Sequence, residues 1–169
     1  MPEIDLTQNG NSIGDAQDLG AWILPISAHT KVVVGKYELK YIEYVTCVSL
    51  PGLPAFCEQG FVWRNRFIPA LDIHSLVTRR RIPGAEQERL AAIIAYENTQ
   101  GELSLGAILL HGVPKLAAVK ASQSVSLMEL TPEFQVLSQA AFKDENNTYP
   151  VLNLRSLFTQ TPVDLLSLH

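Results

Sequence analysis

The stretch GFVWRNRFIPALDI, residues 60–73, contains two short apolar runs joined at a polar corner. Arg64 and Asn65 occupy that corner. Asparagine is one of the few residues besides glycine that tolerate positive φ, which a two-residue hairpin turn requires. The stretch therefore predicts a β-hairpin. We expect its arginine to be presented outward, either as a solvated cation or as an anchor for a carboxylate of a partner.

Short apolar and β-branched runs separated by turn signals surround this hairpin on both sides. The runs are WILPI and KVVVGKYELKYIEYVTCVSL before it, and RLAAIIAY, LSLGAILLHG, AAFK and TYPVLNL after it. The turn signals include SAHT, PGLP, ENTQGE and DENN. Helix is predicted only for TPEFQVLSQA and for two short turns after the proline-containing strands. This rhythm predicts an all-β fold with few short helices.

Two segments of the chain resemble each other. PALDIHSLVT, residues 69–78, aligns without a gap on PVLNLRSLFT, residues 150–159, and proline, leucine, serine, leucine and threonine coincide. We interpret each segment as a strand that buries Leu71 or Leu152, followed by a serine-started helical turn over the open end of its own barrel. Two small β-barrels in tandem would result. Chance similarity is the alternative, because apolar residues recur easily at matched spacing.

Composition divides the chain into an extension, a two-lobed domain and a tail. Residues 1–21 are rich in Asn, Asp, Gln and Gly, which predicts a polar, flexible N-terminal extension. The folded domain is expected at residues 22–160. Its first lobe would span about residues 22–84 and its second about 85–160, and exchange of strands between the lobes is allowed. Residues 161–169 are assigned to a C-terminal tail.

Charge and hydropathy exclude several classes of function. With 47% apolar and 18% charged residues, the composition is that of a folded globular protein. The formal net charge of -4 lacks the basic excess of nucleic-acid binders. No apolar run approaches the roughly 20 residues of a membrane helix, and the first residues do not form a secretory signal. We therefore expect a cytoplasmic protein without nucleic-acid partners or direct membrane insertion.

The residue types that usually perform catalysis or bind metals form no known pattern. Cys47 and Cys57 have no CxxC spacing or nearby histidine and are interpreted as reduced thiols. The four histidines show no metal-binding spacing; they are His29, His74, His111 and His169. GxSxG, P-loop, GxGxxG and HExxH motifs are absent from the sequence. Glu43 and Asp72 cannot be paired as acid and base from sequence. We expect no enzyme, no cofactor and no metal.

A longer stretch around the hairpin resembles the CheW-like family. LPGLPAFCEQGFVWRNRFIPALDI, residues 50–73, is similar to the family's Pro-x-x-Pro loop, strand-starting glycine, arginine hairpin and Pro-Val-x-Asp-Leu strand. Upstream, KYIEYVTCVSL is similar to the Val-x-Glu-Ile strand, with Glu43 in the glutamate position. Downstream, LAAIIAYENTQGELSLGAILLHGV and TYPVLNLRSLF are similar to the second-lobe hairpin and the closing strand and helix. The resemblance covers about residues 22–160.

The hairpin departs from the family pattern at its tip. Val-Trp-Arg-Asn stands where members usually have Asn-Leu-Arg-Gly, and the chain is one residue shorter between Gly60 and Arg64. The Trp-Arg pair and WILPI are more similar to the adaptors of pilus or surface-motility chemosensory systems than to flagellar ones. This similarity indicates the divergent Pil-Chp type of branch.

The resemblance implies both a fold and a function. The fold would be two small SH3-like, five-stranded β-barrel lobes side by side. The protein would be a non-catalytic adaptor that couples a methyl-accepting chemoreceptor to a CheA-type histidine kinase in chemotaxis-like signalling. Glu43, Gly60, Arg64 and Asn65 would belong to the receptor-binding side, and strands of the second lobe would dock on the kinase's regulatory domain.

Two alternatives from other classes stay open at this point. A small β-barrel protein that binds a nucleotide or an oligosaccharide would need aromatic stacking platforms and basic grooves, whereas aromatic residues are 8% of this acidic chain. A β-barrel hydrolase would need Glu43, Asp72 and a histidine around one pocket. Of these readings the adaptor is the one that the residues favour.

Overall fold

Residues 19–80, 88–160 and 162–167 are described by a computed structural model of the chain. The strands are β1 (Leu19–Pro25), β2 (Lys31–Gly35), β3 (Leu39–Thr46), β4 (Val48–Ser49), β5 (Gln59–Trp63), β6 (Arg66–Leu71), β7 (Glu88–Glu97), β8 (Leu103–Leu110), β9 (Lys115–Val119), β10 (Ser124–Val125), β11 (Ser138–Asp144) and β12 (Asn147–Leu152). The α-helices are α1 (Ile73–Thr78), α2 (Pro132–Leu137), α3 (Leu154–Thr159) and α4 (Pro162–Ser167). Two 3₁₀ turns span Ala121–Gln123 and Leu127–Glu129. The prediction of an all-β fold with few short helices is confirmed.

The strands form two six-stranded sheets that curl into half-barrels. Sheet A has the order β10-β11-β12-β2-β1-β9, and sheet B has the order β3-β7-β8-β6-β5-β4. Each sheet contains five longer strands and one strand of two residues, β10 in sheet A and β4 in sheet B. The five strands expected for each lobe therefore gain one short edge strand.

Strands are exchanged between the two halves of the chain. Sheet B is built from one continuous segment, β3 to β8, whereas sheet A combines the hairpin β1–β2 with β9 to β12. The expected division near residue 84 therefore falls between β6 and β7, which lie in the same sheet. The sheets instead divide at the connections β2–β3 and β8–β9. Alternating polar and apolar residues predict strands but not which strands pair. The sequence therefore allowed an exchange of strands between the lobes but did not show which strands are exchanged.

The two sheets repeat one arrangement of strands. In the order β4-β5-β6-β8-β7-β3, sheet B matches β10-β11-β12-β2-β1-β9 of sheet A strand for strand. In both sheets, one parallel pair of strands joins two antiparallel hairpins. Ala70 of β6 pairs with Ala107 of β8 in sheet B, and Val151 of β12 pairs with Val33 of β2 in sheet A. The internal similarity of residues 69–78 and 150–159 thus reflects a structural repeat.

The helical turn of each repeat is capped by the residue after the strand. The Asp72 carboxylate accepts a hydrogen bond from Ser75 N at 3.1 Å, and the Asn153 side-chain oxygen accepts one from Ser156 N at 3.1 Å. The expectation that serine starts the turn was wrong. Aspartate and asparagine, in extended backbone conformation, are the N-caps, and each serine donates its backbone N–H to them.

Three groups of buried side chains stabilise this arrangement. The central core joins both sheets and the helices, with Leu24 and Ile94 from the two sheets and Leu76 and Leu157 from α1 and α3. The barrel-B core, which includes Phe61, lies within sheet B. The barrel-A core within sheet A has three buried members, Ala21, Val33 and Phe142. The two sheets therefore share most of their buried apolar surface.

The ends of several elements differ from the expected boundaries. Strand β1 begins at Leu19, within the segment assigned to the extension, and residues 1–18 lie outside the described residues. Helix α2 stops at Leu137, because Ser138 already pairs with Leu152 in sheet A. The expected tail contains α4, whose Leu165 is buried in the central core. Within the described residues, no helix is long and apolar enough to cross a membrane.

Candidate docking surface

The β5–β6 hairpin closes in the tight turn that the sequence predicts. Trp63 and Arg66 form the last pair of the ladder, so Arg64 and Asn65 are the two turn residues. Their φ angles are 49° and 63°. Positive φ at both central residues defines a type I′ turn, whose twist matches that of antiparallel strands. The turn is exposed at the edge of the sheet B half-barrel.

The side chain of Arg64 folds back onto two aromatic rings. Its guanidinium carbon lies 4.3 Å from the ring centroid of Trp63 and 4.6 Å from that of Tyr41. Its Nη1 donates a hydrogen bond to the Tyr41 hydroxyl at 3.3 Å. A guanidinium this close to aromatic faces gains cation–π attraction. Arg64 is exposed at the turn, and the two rings fix the plane of its guanidinium against the barrel.

Glu43 is held by the same group of side chains. The indole Nε1 of Trp63 donates a hydrogen bond to Glu43 Oε2 at 3.0 Å. Glu43 and Tyr41 lie on β3, which is not a neighbour of β5 in the strand order of sheet B. The four residues Tyr41, Glu43, Trp63 and Arg64, here named the aromatic–arginine cluster, thus link two strands that share no backbone hydrogen bonds.

Gly60 belongs to the other face of the same hairpin. Side chains alternate along a strand, so Phe61 and Trp63 face the barrel-B core while Gly60 and Val62 face outward. A Cβ atom at Gly60 would overlap the ring of Phe67, which lies across the glycine from β6. The absence of a side chain at this position therefore lets an aromatic ring cover the strand.

An exposed apolar surface results on this outer face. Val62 is 73% exposed, Val48 is 52% exposed and Phe67 is 48% exposed. Val48 pairs with Gly60 across β4–β5, and Val62 pairs with Phe67 across β5–β6, so the side chains are contiguous. The outer hairpin patch is defined as Val48, Gly60, Val62, Phe67 and Pro69. Contiguous exposed apolar residues commonly mark surfaces that bind other proteins.

The structure brings together part of the predicted site. Glu43 and Arg64 contact the same tryptophan, and Asn65 is exposed beside them at the turn, whereas Gly60 lies on the opposite face. Sequence reasoning missed Tyr41 and Phe67. Tyr41 stands two residues before Glu43, and this period of two on a predicted strand was the signal that could have placed both on one face.

The carboxylates considered for catalysis have separate partners. Glu43 accepts the indole hydrogen bond, while Asp72 caps α1 and lies 3.4 Å from Arg89 Nη1. Across the described ranges, no group of three or more His, Cys, Asp or Glu residues could hold a metal ion. Aromatic faces, a fixed guanidinium and apolar surface are features that favour binding of another protein.

Comparison with known proteins identifies the fold. No protein-family model matches the chain, and no curated protein sequence matches it. Its structure is similar to the crystal structure of scaffolding protein TtCheW from Thermoanaerobacter tengcongensis, with a TM-score of 0.64 over 86% of this chain and 91% of that one. The fold is CheW-like. The two chains are 12% identical, so the likeness establishes the CheW-like fold, and the interpretation of the site depends on its own geometry.

Proposed function

We propose that this chain is a non-catalytic, cytoplasmic adaptor that couples a methyl-accepting chemoreceptor to a CheA-type histidine kinase. The observation that supports this proposal most strongly is the CheW-like fold, which is also the fold of a scaffolding protein. The resemblance of residues 50–73 to the CheW-like hairpin supports it independently, because that resemblance depends on sequence and the fold comparison does not.

The hairpin offers two surfaces suited to protein partners. The aromatic–arginine cluster presents an ordered guanidinium next to Asn65, and ordered arginines recognise carboxylates with little loss of side-chain freedom. The outer hairpin patch presents apolar area on the opposite face. We assign Glu43, Gly60, Arg64 and Asn65 to the receptor side. Gly60 would act indirectly, because it positions Phe67.

The proposed mechanism involves no covalent step. An adaptor that binds receptor and kinase together fixes their relative geometry, so a change in the receptor shifts the active fraction of the kinase. The shift can be no larger than the difference in binding free energy between the two kinase states. A two-sheet body with a shared core is suited to transmitting such a difference.

Charge reversal at the hairpin turn tests the role of Arg64. We expect Arg64→Glu to keep the fold, because the residue is exposed, and to weaken binding to the receptor about tenfold or more by removing the cation. The measurement is a pull-down with the chemoreceptor and, separately, with the CheA-type kinase, beside a circular dichroism melt. Arg155→Glu, an equal change at an exposed position of α3, is the control.

Two results would contradict the proposal at different levels. Full receptor binding by folded Arg64→Glu would remove Arg64 from the interface but leave the adaptor function. Failure of the unaltered protein to bind either the receptor or the kinase would contradict the adaptor function itself.

We also propose that the adaptor belongs to a pilus or surface-motility system of the Pil-Chp type. The Trp63–Arg64 pair and the WILPI segment support this branch, because they are more similar to the adaptors of pilus or surface-motility chemosensory systems than to flagellar ones. Deletion of the gene should impair movement by type IV pili and leave swimming intact. Loss of swimming alone would contradict the assignment.

A further inference from the structure

A cavity of about 650 Å³ opens at one end of sheet A. It lies where β1 begins and where β2 and β9 end, away from the aromatic–arginine cluster of sheet B. Its walls are mostly apolar and include Ala21, Val33, Val119, Phe142 and Val151. The first, second and fourth of these residues are the barrel-A core, and the other two pack against it from the neighbouring strands β9 and β12. The described residues therefore fill the inside of this half-barrel only in part.

The equivalent space in sheet B is filled by side chains. Ala107 of β8 and Val33 of β2 are equivalent in the repeat, because each lies in the parallel strand contact of its own sheet. Two residues further along each strand, Leu109 is therefore equivalent to Gly35. Leu109 is 1% exposed and belongs to the barrel-B core. A buried leucine on one side of the repeat thus corresponds to a residue without a side chain on the other.

A specific contact keeps this position empty. Gly35 N donates a hydrogen bond to Glu38 Oε1 at 2.7 Å, and a Cβ atom at Gly35 would lie 2.9 Å from the same oxygen. A side chain at position 35 would therefore displace the carboxylate that closes the β2–β3 turn. Glycine at position 35 thus accommodates the Glu38 contact and leaves the neighbouring space without a side chain.

The charged residues that line the cavity differ in exposure and in hydrogen bonding. They are Lys36, Lys120 and Glu38. Both lysines are exposed at the ends of β2 and β9, whereas the Glu38 carboxylate accepts the Gly35 hydrogen bond. An anion at this mouth would meet two exposed cations and one carboxylate that is already engaged.

We propose that this cavity binds a small molecule with an apolar body and one anionic group, of the chemical class of medium-chain carboxylates. Ligand sites commonly enclose about 300 to 1,000 Å³, are mostly apolar and have a few polar groups that orient the ligand. The apolar chain would occupy the space that Leu109 fills in sheet B, and the carboxylate would lie between Lys36 and Lys120. This site is independent of the proposed adaptor function.

Titration with decanoate tests the site directly. We expect saturable binding of one decanoate per chain by calorimetry, with amide shifts in ¹H–¹⁵N spectra concentrated at Gly35, Val119 and Phe142. Decanol, which has the same chain without the charge, should bind about threefold to fivefold more weakly, because an exposed ion pair contributes little. Absence of saturable decanoate binding would overturn the proposal.

A matched pair of alanine variants tests the location. Ala140 lines the cavity, whereas Ala118 on β9 is exposed and lies outside the lining. We expect Ala140→Leu to weaken decanoate binding about tenfold by filling the cavity, and Ala118→Leu to leave it unchanged. Equal affinity of both variants, with unchanged melting curves, would place the ligand elsewhere and overturn the site.

A second pair tests the cation at the mouth. Lys120→Glu should weaken decanoate binding but not decanol binding, since only the charged ligand is repelled. Lys115→Glu, at the opposite end of β9 and outside the lining, should change neither. Equal weakening of decanol by Lys120→Glu would refute the assigned orientation of the anionic group.

Discussion

At the scale of single residues, Trp63 organises the hairpin because it makes two different contacts. Its ring face attracts the Arg64 guanidinium, while its Nε1 hydrogen binds Glu43. Neither phenylalanine nor tyrosine offers this combination of a large face and an in-plane N–H donor. The cation and the carboxylate are thereby held apart by one ring instead of forming a direct ion pair. Both remain positioned for groups on a partner.

The surroundings of Cys47 and Cys57 raise the pKa values of both thiols. Burial raises the pKa of Cys47, and the positive charge of Arg89 offsets part of that rise. Burial also raises the pKa of Cys57, and the adjacent Glu58 carboxylate adds to the rise. Each thiol is free of disulfide bonding, as the sequence predicts. Both are therefore kept in the neutral form by the folded state.

We predict that stability falls in alkaline solution because of these thiols. With the folded pKa raised, the native state holds protons that the unfolded state releases above the ordinary thiol value of 9.0. Their contribution is fully present below 9.0 and is lost as the pH rises through the higher folded values. Urea unfolding from neutral to alkaline pH measures this loss.

The control for the alkaline loss is a double variant, Cys47→Ala with Cys57→Ala. It should show a shallower decline in unfolding free energy, because tyrosines and lysines titrate equally in both proteins. Identical slopes for the two proteins would contradict the role of the thiols.

At the scale of elements, the capped turns of the two repeats are equal in geometry and unequal in charge. Asp72 both caps α1 and pairs with Arg89, whose side chain is 14% exposed, while Asn153 caps α3 without charge. In the repeat, Arg89 of β7 is equivalent to Leu19 of β1, so sheet A has no arginine at this place. One repeat thus contains a largely buried ion pair where the other is neutral.

We predict that the two caps differ in cost when removed. Asn153→Ala should destabilise by about 1 kcal/mol, the usual value of a cap. Asp72→Ala should cost about 2 to 4 kcal/mol, because it also leaves the Arg89 guanidinium without its partner. Asp72→Asn, which keeps a cap but removes the charge, should fall between them in urea denaturation. Equal costs for the two alanine variants would show that the ion pair contributes nothing.

The strands before these caps should respond alike. Leu71 and Leu152 occupy equivalent positions in the central core and are 5% and 0% exposed. We predict that Leu71→Ala and Leu152→Ala each lower the unfolding free energy by about 2 to 5 kcal/mol, the usual range for a buried leucine. Chemical denaturation of both variants checks this. A cost below about 1 kcal/mol for either one would contradict its core position.

Local signals in the sequence predicted the elements better than their arrangement. The hairpin turn and the repeat depend on neighbouring residues, so Asn65 and the paired Pro-x-Leu segments revealed them. The stacking of Arg64 on Tyr41 depends on contact between residues far apart in the chain, which no local pattern encodes. For the same reason the sequence could not show that the Arg64 side chain folds back over Trp63, on the face of the hairpin opposite Gly60.

At the scale of the whole molecule, exchange of strands makes the two sheets dependent on each other. Sheet A contains both the first and the last strands of the described chain, so its formation brings the chain together around sheet B. Residues of both sheets and four helices contribute to the central core, which is larger than either core within a single sheet. The two sheets should therefore not unfold separately.

The two tryptophans of the chain allow this to be measured, since one lies in each sheet. Trp22 on β1 packs against the central core, and Trp63 on β5 packs against the barrel-B core. Trp63→Phe leaves the first as the fluorescent reporter of sheet A, and Trp22→Phe leaves the second as the reporter of sheet B. In each variant we predict that fluorescence and far-ultraviolet circular dichroism give the same urea midpoint, because one cooperative transition includes both sheets. A fluorescence midpoint that departs from the circular dichroism midpoint in either variant would show that one sheet unfolds first and that the shared core does not couple them.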